Sequence, residues 1–242
     1  MNRDPATLLC FSYAGGSAGF YARWRSVLPH IKVIPVDIPG RGTARDLETL
    51  VTRNDVIDYL LEHCLRRCVP PFALFGHSLG ARIAFELQSV LECDFGLQAS
   101  RLFISGCLSP ERFTRAVAVH ERDLSDSALL RLLAGMGGTP PELLDNPLLM
   151  QTALPIIRAD FELAIDLSKS AAMSVASPIH LLLGNQDKVT CLFEDYPGWR
   201  RHTSRGCQVS LFEGDHFFVR SQTNPVAMLV REQLQEVVPR EE

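Results

Sequence analysis

The segment Phe72-Ala73-Leu74-Phe75-Gly76-His77-Ser78-Leu79-Gly80-Ala81-Arg82-Ile83-Ala84 runs from an apolar stretch rich in aromatic residues, through G-x-S-x-G, into a helical pattern. A serine at a sharp strand-to-helix turn needs a strained backbone. Gly76 and Gly80, with Ala81 beyond, remove the side chains that would collide around such a turn. The first turn of the following helix then supplies free amide donors beside the hydroxyl. These features make Ser78 a candidate nucleophile; the competing role for it is a plain cap on the helix that starts at Leu79.

Outward from this segment, short apolar runs rich in β-branched and aromatic residues recur at 7–12, 32–37, 72–75, 101–105, 179–183 and 207–212, and each reads as a buried strand. Helical patterns lie between several of them. Val56, Ile57, Leu60, Leu61, Cys64 and Leu65 share one face behind a cap at Asn54, and 79–91 forms another helix. The last helix is signalled by Asn224 as cap, Pro225 at the first position and a face of Val226, Leu229, Val230, Leu234 and Val237. Strands alternating with helices predict an α/β fold with a mostly parallel central sheet flanked by helices.

The alternation fails between about 110 and 170, which offers helices but no strand. Ser125 caps a helix over 128–133, residues 135–141 break the pattern, and 141–153 and 156–167 read as two further helices. The expectation is one domain over 1–242 with a helical lid inserted at about 110–170.

A serine hydroxyl needs a general base, itself oriented by a carboxylate. Among seven histidines, His216 follows the last strand within Gly214-Asp215-His216-Phe217-Phe218, where a loop residue returns toward the serine. His77 adjoins the nucleophile and reads as a packing residue; His30, His63, His120, His180 and His202 have no such context. For the acid, the strand at 179–183 runs into Gly184-Asn185-Gln186-Asp187, placing Asp187 beyond a strand's carboxyl end. The earlier loop Gly106-Cys107-Leu108-Ser109-Pro110 has Glu111 as its first carboxylate, and Glu194, Asp195, Glu213 and Asp215 are the remaining alternatives. The order Ser78, Asp187, His216 is that of the α/β-hydrolase fold. Two amide donors must face the developing oxyanion. Leu79 follows the nucleophile, and Ser12-Tyr13-Ala14-Gly15-Gly16-Ser17 supplies the other donor, Ala14, with Tyr13 next; this loop lacks the spacing of a phosphate cradle.

Composition excludes other classes. Among 242 residues, 46% are hydrophobic and 21% charged, which rules out a disordered or coiled-coil chain. A net charge of −4 is too mild for a nucleic-acid or anionic-membrane footprint. No apolar run approaches the roughly 20 residues of a membrane span, and the start of the chain has no signal-peptide layout, so a cytoplasmic protein is expected. Seven cysteines without C-x-x-C pairing read as free thiols; Cys64 and Cys68 lack companions to complete a metal site, so no metal is expected.

With these residues assembled, the chain resembles the stand-alone type II thioesterases that accompany nonribosomal peptide and polyketide synthases, relatives of medium-chain fatty acyl carrier-protein hydrolases. The matching segments are Phe11-Ser12-Tyr13-Ala14-Gly15-Gly16 followed by Trp24, Pro39-Gly40-Arg41-Gly42, Phe75-Gly76-His77-Ser78-Leu79-Gly80-Ala81, Ser105-Gly106-Cys107-Leu108-Ser109-Pro110, Gly137-Gly138-Thr139-Pro140 and Leu154-Pro155-Ile156-Ile157-Arg158-Ala159-Asp160. Two departures stand out: Gly214-Asp215 replaces a pair of glycines before the histidine, and Arg45 is displaced after Pro39. The resemblance implies a Ser78–His216–Asp187 triad with Ala14 and Leu79 as oxyanion donors. It implies hydrolysis of acyl groups from the phosphopantetheine arm of a carrier protein, clearing stalled or misloaded chains. The enzyme would act as a monomer with no cofactor of its own, the arm belonging to the substrate. A medium-chain acyl carrier-protein hydrolase, a general carboxylesterase, an acyltransferase and an inactive carrier-binding scaffold are the alternatives.

Overall fold

Six apolar runs pair side by side into one parallel sheet in a computed structural model that describes residues 6–120, 123–136, 144–170 and 173–235. The strands are β1 (Ala6–Phe11), β2 (Ile31–Val36), β3 (Phe72–His77), β4 (Arg101–Ser105), β5 (Ile179–Gly184) and β6 (Cys207–Phe212), in spatial order β2-β1-β3-β4-β5-β6. Every residue of β3, β4 and β5 is buried, which is why these strands read as unbroken apolar runs rather than alternating ones.

Helices cover both faces: α1 (Arg53–Cys64), α2 (Leu79–Phe95), α3 (Pro110–His120), α4 (Asp126–Met136), α5 (Pro147–Lys169), α6 (Leu192–Arg200), α7 (Phe218–Ser221) and α8 (Thr223–Gln235). On one face Leu9, Leu74 and Ile104 pack with Leu60 of α1, Phe85 of α2 and Leu163 of α5. On the other, Leu8, Phe75 and Phe103 meet Trp24 and the α8 residues Val226 and Val230.

Strand direction places the site. All ladders are parallel, so Phe11, His77 and Gly184 end at the same edge. The chain reverses its winding between β1 and β3, because β1 leads outward to β2 while β3 leads to β4. Loops diverge at such a switch point and leave a crevice. Residues 12–17 and Ser78 lie on its two sides.

Between β4 and β5 the described residues contain α3, α4 and α5 and no strand. The break expected around 153–156 does not occur: α5 is one helix of 23 residues running through Pro155. Pro155 removes one intrahelical bond, but Leu154 and Ile157 pack against Leu129 while Leu163 and Leu167 sit in the main core, so both halves are anchored. Ser125 does cap α4, its hydroxyl accepting from Ala128 N–H at 3.4 Å. The expected break over 135–141 begins later, since Gly135 and Met136 are helical; 137–143, including Gly137-Gly138-Thr139-Pro140, lie outside the described residues.

Two caps differ from expectation. Thr52, not Asn54, caps α1, its hydroxyl accepting from Asp55 N–H at 3.2 Å, while Asn54 is exposed within the first turn. Helix α8 starts at Thr223, which puts Asn224 and Pro225 inside its first turn, and Val237 lies outside the described residues.

Candidate active site

Ser78 has φ 54° and ψ −118°, and is the one described non-glycine residue with positive φ. Such a conformation costs about 1–3 kcal/mol and persists only where its surroundings enforce it. Here they do. A Cβ on Gly76 would lie 2.2 Å from the Gly80 carbonyl oxygen, and one on Gly80 would lie 2.4 Å from that of Ser12. Ser78 N–H donates to the Ser105 carbonyl at 2.8 Å, tying the turn to β4. The Ser78 side chain makes no capping bond to α2. Its hydroxyl instead lies 3.1 Å from His216 Nε2.

His216 and Asp187 meet because two loops are laced together. Asn185 N–H donates to Phe212 O at 2.8 Å, Gln186 N–H to Gly214 O at 2.9 Å, and Gly214 N–H to Asn185 Oδ1 at 3.1 Å. Gly184 allows this approach, since a Cβ there would sit 2.5 Å from Asp215 O. Asp187 Oδ2 then lies 2.9 Å from His216 Nδ1, with both side chains at most 1% exposed. A carboxylate only accepts, so Nδ1 carries the proton and Nε2 is left to accept from the Ser78 hydroxyl. Burial alone would raise the Asp187 pKa, but the bonds from His216, the Thr190 hydroxyl at 2.7 Å and Val189 N–H at 2.7 Å outweigh it and hold the carboxyl below its ordinary value.

Glu213 is exposed, and the other alternative carboxylates are engaged elsewhere. Asp195 accepts from Ser109 N–H, Cys191 N–H and Arg112, Glu194 pairs with Arg112, and Glu111 faces His202. Asp215, which stands where a glycine pair was expected, is exposed and accepts from Phe217 N–H at 2.8 Å. His77 packs as expected: it is fully buried, with Nδ1 2.9 Å from Ser105 Oγ and its ring 5.3 Å from that of His216. Burial, reinforced by the neighbouring His216, drives its pKa well below 6.5 and keeps it neutral.

Ser78 opens on a cavity of about 200 Å³ whose wall includes Ala14, Leu79, Phe113, Leu132 and Phe161. The Cys107 thiol also lines it, but burial pushes its pKa up to about 12, so it is a neutral wall rather than a nucleophile. Ala14, in the loop after β1, and Leu79, at the start of α2, thus line the same cavity as Ser78. The same wall contains Asp160, which sequence reasoning left without a role. Its Oδ2 accepts from Gly15 N–H at 2.6 Å and its Oδ1 pairs with Arg41, both side chains being buried. The available signal was an aspartate on the apolar face of α5 and an arginine in a glycine-rich turn; only the fold brings them together.

Among the described residues no group of three or more His, Cys, Asp or Glu side chains is arranged to hold a metal ion. Cys64 and Cys68 are buried, the Cys68 thiol donating to the Cys64 carbonyl. No described helix is long and apolar enough to cross a membrane.

Three known proteins illustrate what this chain is similar to. It is 35% identical over 234 residues to linear gramicidin dehydrogenase LgrE of Brevibacillus parabrevis, covering 94% of this chain and 87% of that protein. The dehydrogenase in that name belongs to that protein; the present sequence has no G-x-G-x-x-G, the glycine spacing of a dinucleotide-binding turn. Among solved structures, ClbQ from the colibactin NRPS/PKS pathway superposes with a TM-score of 0.83 at 31% identity, covering 96% of this chain and 98% of that one. YbtT, a type II thioesterase from the yersiniabactin NRPS/PKS pathway, superposes with a TM-score of 0.80 at 29% identity, covering 98% and 96%. A family model for the thioesterase domain matches residues 6–234, from β1 into α8, and the chain belongs to that thioesterase family.

Proposed function

We propose that this thioesterase hydrolyses acyl groups from the phosphopantetheine arm of carrier proteins, removing stalled or misloaded chains from a nonribosomal peptide or polyketide synthase. The observation that carries the reading is the line of hydrogen bonds from Asp187 through His216 to Ser78, which ends at an apolar cavity. The type II thioesterase relative supports the choice of substrate.

In this mechanism Ser78 Oγ attacks the thioester carbonyl carbon while His216 Nε2 takes the hydroxyl proton. The negative charge moves to the carbonyl oxygen, where the N–H groups of Ala14 and Leu79 receive it. Collapse breaks the carbon–sulfur bond, and His216 returns its proton to the departing thiolate. Water then attacks the Ser78 ester, giving its proton to His216, and a second collapse releases the acid and restores the hydroxyl. Asp187 stays ionised throughout and stabilises the imidazolium. The helical segment at 110–170 acts as a lid over the acyl group, and the enzyme works as a cytoplasmic monomer without a cofactor of its own.

The test compares hydrolysis of one short acyl group presented on a holo carrier protein, on coenzyme A and as an oxygen ester, with Ser78→Ala as control. Faster turnover of the carrier-bound form is expected. Equal or faster turnover of the free ester would replace carrier recognition by general esterase activity, and turnover that survives Ser78→Ala would remove Ser78 as nucleophile.

A further inference from the structure

We propose that Asp160 of α5 is a positioning residue for the reaction, fixing the turn that carries the Ala14 donor, with Arg41 holding it in place. The inference rests on the reading of Ala14 as an oxyanion donor.

Tyr13, Ala14, Gly15 and Gly16 form a tight turn closed by Gly16 N–H donating to Tyr13 O at 2.9 Å. Gly15, at the third position, has φ +73°, which marks a type II turn. Types I and II differ by a flip of the central peptide, here the one joining Ala14 to Gly15, and the flip reverses the direction of the Gly15 N–H. The Ala14 N–H lies on the preceding peptide, whose Tyr13 carbonyl takes the closing bond, so Asp160 acts on it through the geometry of the turn. In the observed state the Gly15 N–H donates to Asp160 Oδ2 at 2.6 Å, across 145 residues of sequence. Flipping it would leave a carboxylate that is 2% exposed without its amide partner.

Asp160 is held from its other side. Its Oδ1 pairs with Arg41, 5% exposed, at the end of the Pro39-Gly40-Arg41 turn. Ile157, one helical turn earlier on α5, packs against the same loop: a Cβ on Gly15 would stand 3.0 Å from Ile157 Cγ1. Three segments distant in sequence therefore converge on one peptide group, beside the cavity that Ala14, Ser78 and Asp160 line together.

The test measures kcat, KM and affinity for an alkylboronic acid, whose serine adduct carries the tetrahedral oxyanion, in Asp160→Asn. Arg41→Met/Asp160→Leu removes both charges together and serves if the single variant does not fold. Gly15→Ala perturbs the same turn from an exposed position and buries no charge. The expected result is a loss of about 10²–10³ in kcat, the scale of one lost oxyanion donor, with KM within about threefold and boronate affinity falling in parallel. Gly15→Ala should show the same split, and its combination with Asp160→Asn should be no worse than the more damaging single change. Unchanged kcat, a loss confined to KM, or unchanged boronate affinity would overturn the proposal. Ser78→Ala in the same assay separates this from failure of the mechanism itself: wild-type turnover that depends on Ser78 but not on Asp160 refutes only the positioning role.

Discussion

Gly76 and Gly80 approach so closely across the Ser78 turn that a Cβ on Gly76 would stand 2.2 Å from the Gly80 carbonyl oxygen. The obstacle is backbone, which cannot rotate aside. Gly76→Ala should therefore destabilise the protein by about 3 kcal/mol and displace Ser78 as well, since overpacking of a rigid site is relieved by moving the chain. Gly135 of α4 is the control, as its Cβ would meet nothing within 4 Å. Gly135→Ala should stabilise by about 0.5–1 kcal/mol through helix propensity. Urea denaturation gives both values, and labelling of Ser78 by a fluorophosphonate should slow sharply in the first variant only. Equal labelling rates in the two would mean that the turn tolerates the extra methyl.

Asp187 accepts three hydrogen bonds, and one of them sets the tautomer of His216. Asp187→Asn keeps the shape but presents an amide that can donate to Nδ1, which would turn Nε2 into the protonated nitrogen and leave Ser78 without a base. The expected loss in kcat is about 10⁴ with KM little changed. A loss below tenfold in steady-state assays would mean that another group orients the imidazole.

The six strands were legible because buried parallel strands are written as unbroken apolar runs, and the Ser78 turn because G-x-S-x-G stood between a strand and a helix. Asp187 and His216 could be placed in loops from sequence, but their meeting depends on the lacing of Asn185 and Gln186 to Phe212 and Gly214, most of it between backbone groups with no residue signature. The Arg41–Asp160–Gly15 link was invisible for a related reason: each residue lay in a segment that was noticed, yet nothing in one segment refers to another. The unbroken α5 shows the opposite failure, where tertiary burial on both sides overrode the local signal of Pro155.

The cap of α1 turns on the same contest between local pattern and geometry. Asn54 has the better side chain for a cap, but the helix already includes it, and Thr52 makes the bond to Asp55 N–H. Thr52→Ala should cost about 1 kcal/mol, whereas Asn54→Ala on the exposed first turn should change stability by less than about 0.5 kcal/mol. Chemical denaturation of the pair decides the assignment; the reverse order would return the cap to Asn54.

Two buried histidines that the site does not use add to the loss of stability expected in acid. His180 is 3% exposed between β4 and β6, with Nε2 2.9 Å from Ser210 Oγ and Nδ1 3.2 Å from Gln233 Oε1. Burial lowers its pKa to about 4; Arg101 on the neighbouring strand acts in the same direction and the bond to Gln233 opposes it. His77 is depressed in the same sense. A histidine whose folded pKa lies below its unfolded value of about 6.5 takes up its proton in the unfolded chain first. Its contribution is therefore complete above pH 6.5 and is lost as pH falls toward 4, amounting to about 3 kcal/mol for His180 by linkage. Unfolding free energy measured in urea at pH 7, 5.5 and 4.5 should fall along that window, and His180→Gln should flatten the slope. Because Gln does not titrate, an equally steep decline in His180→Gln would assign the acid sensitivity to His77 and the remaining groups instead.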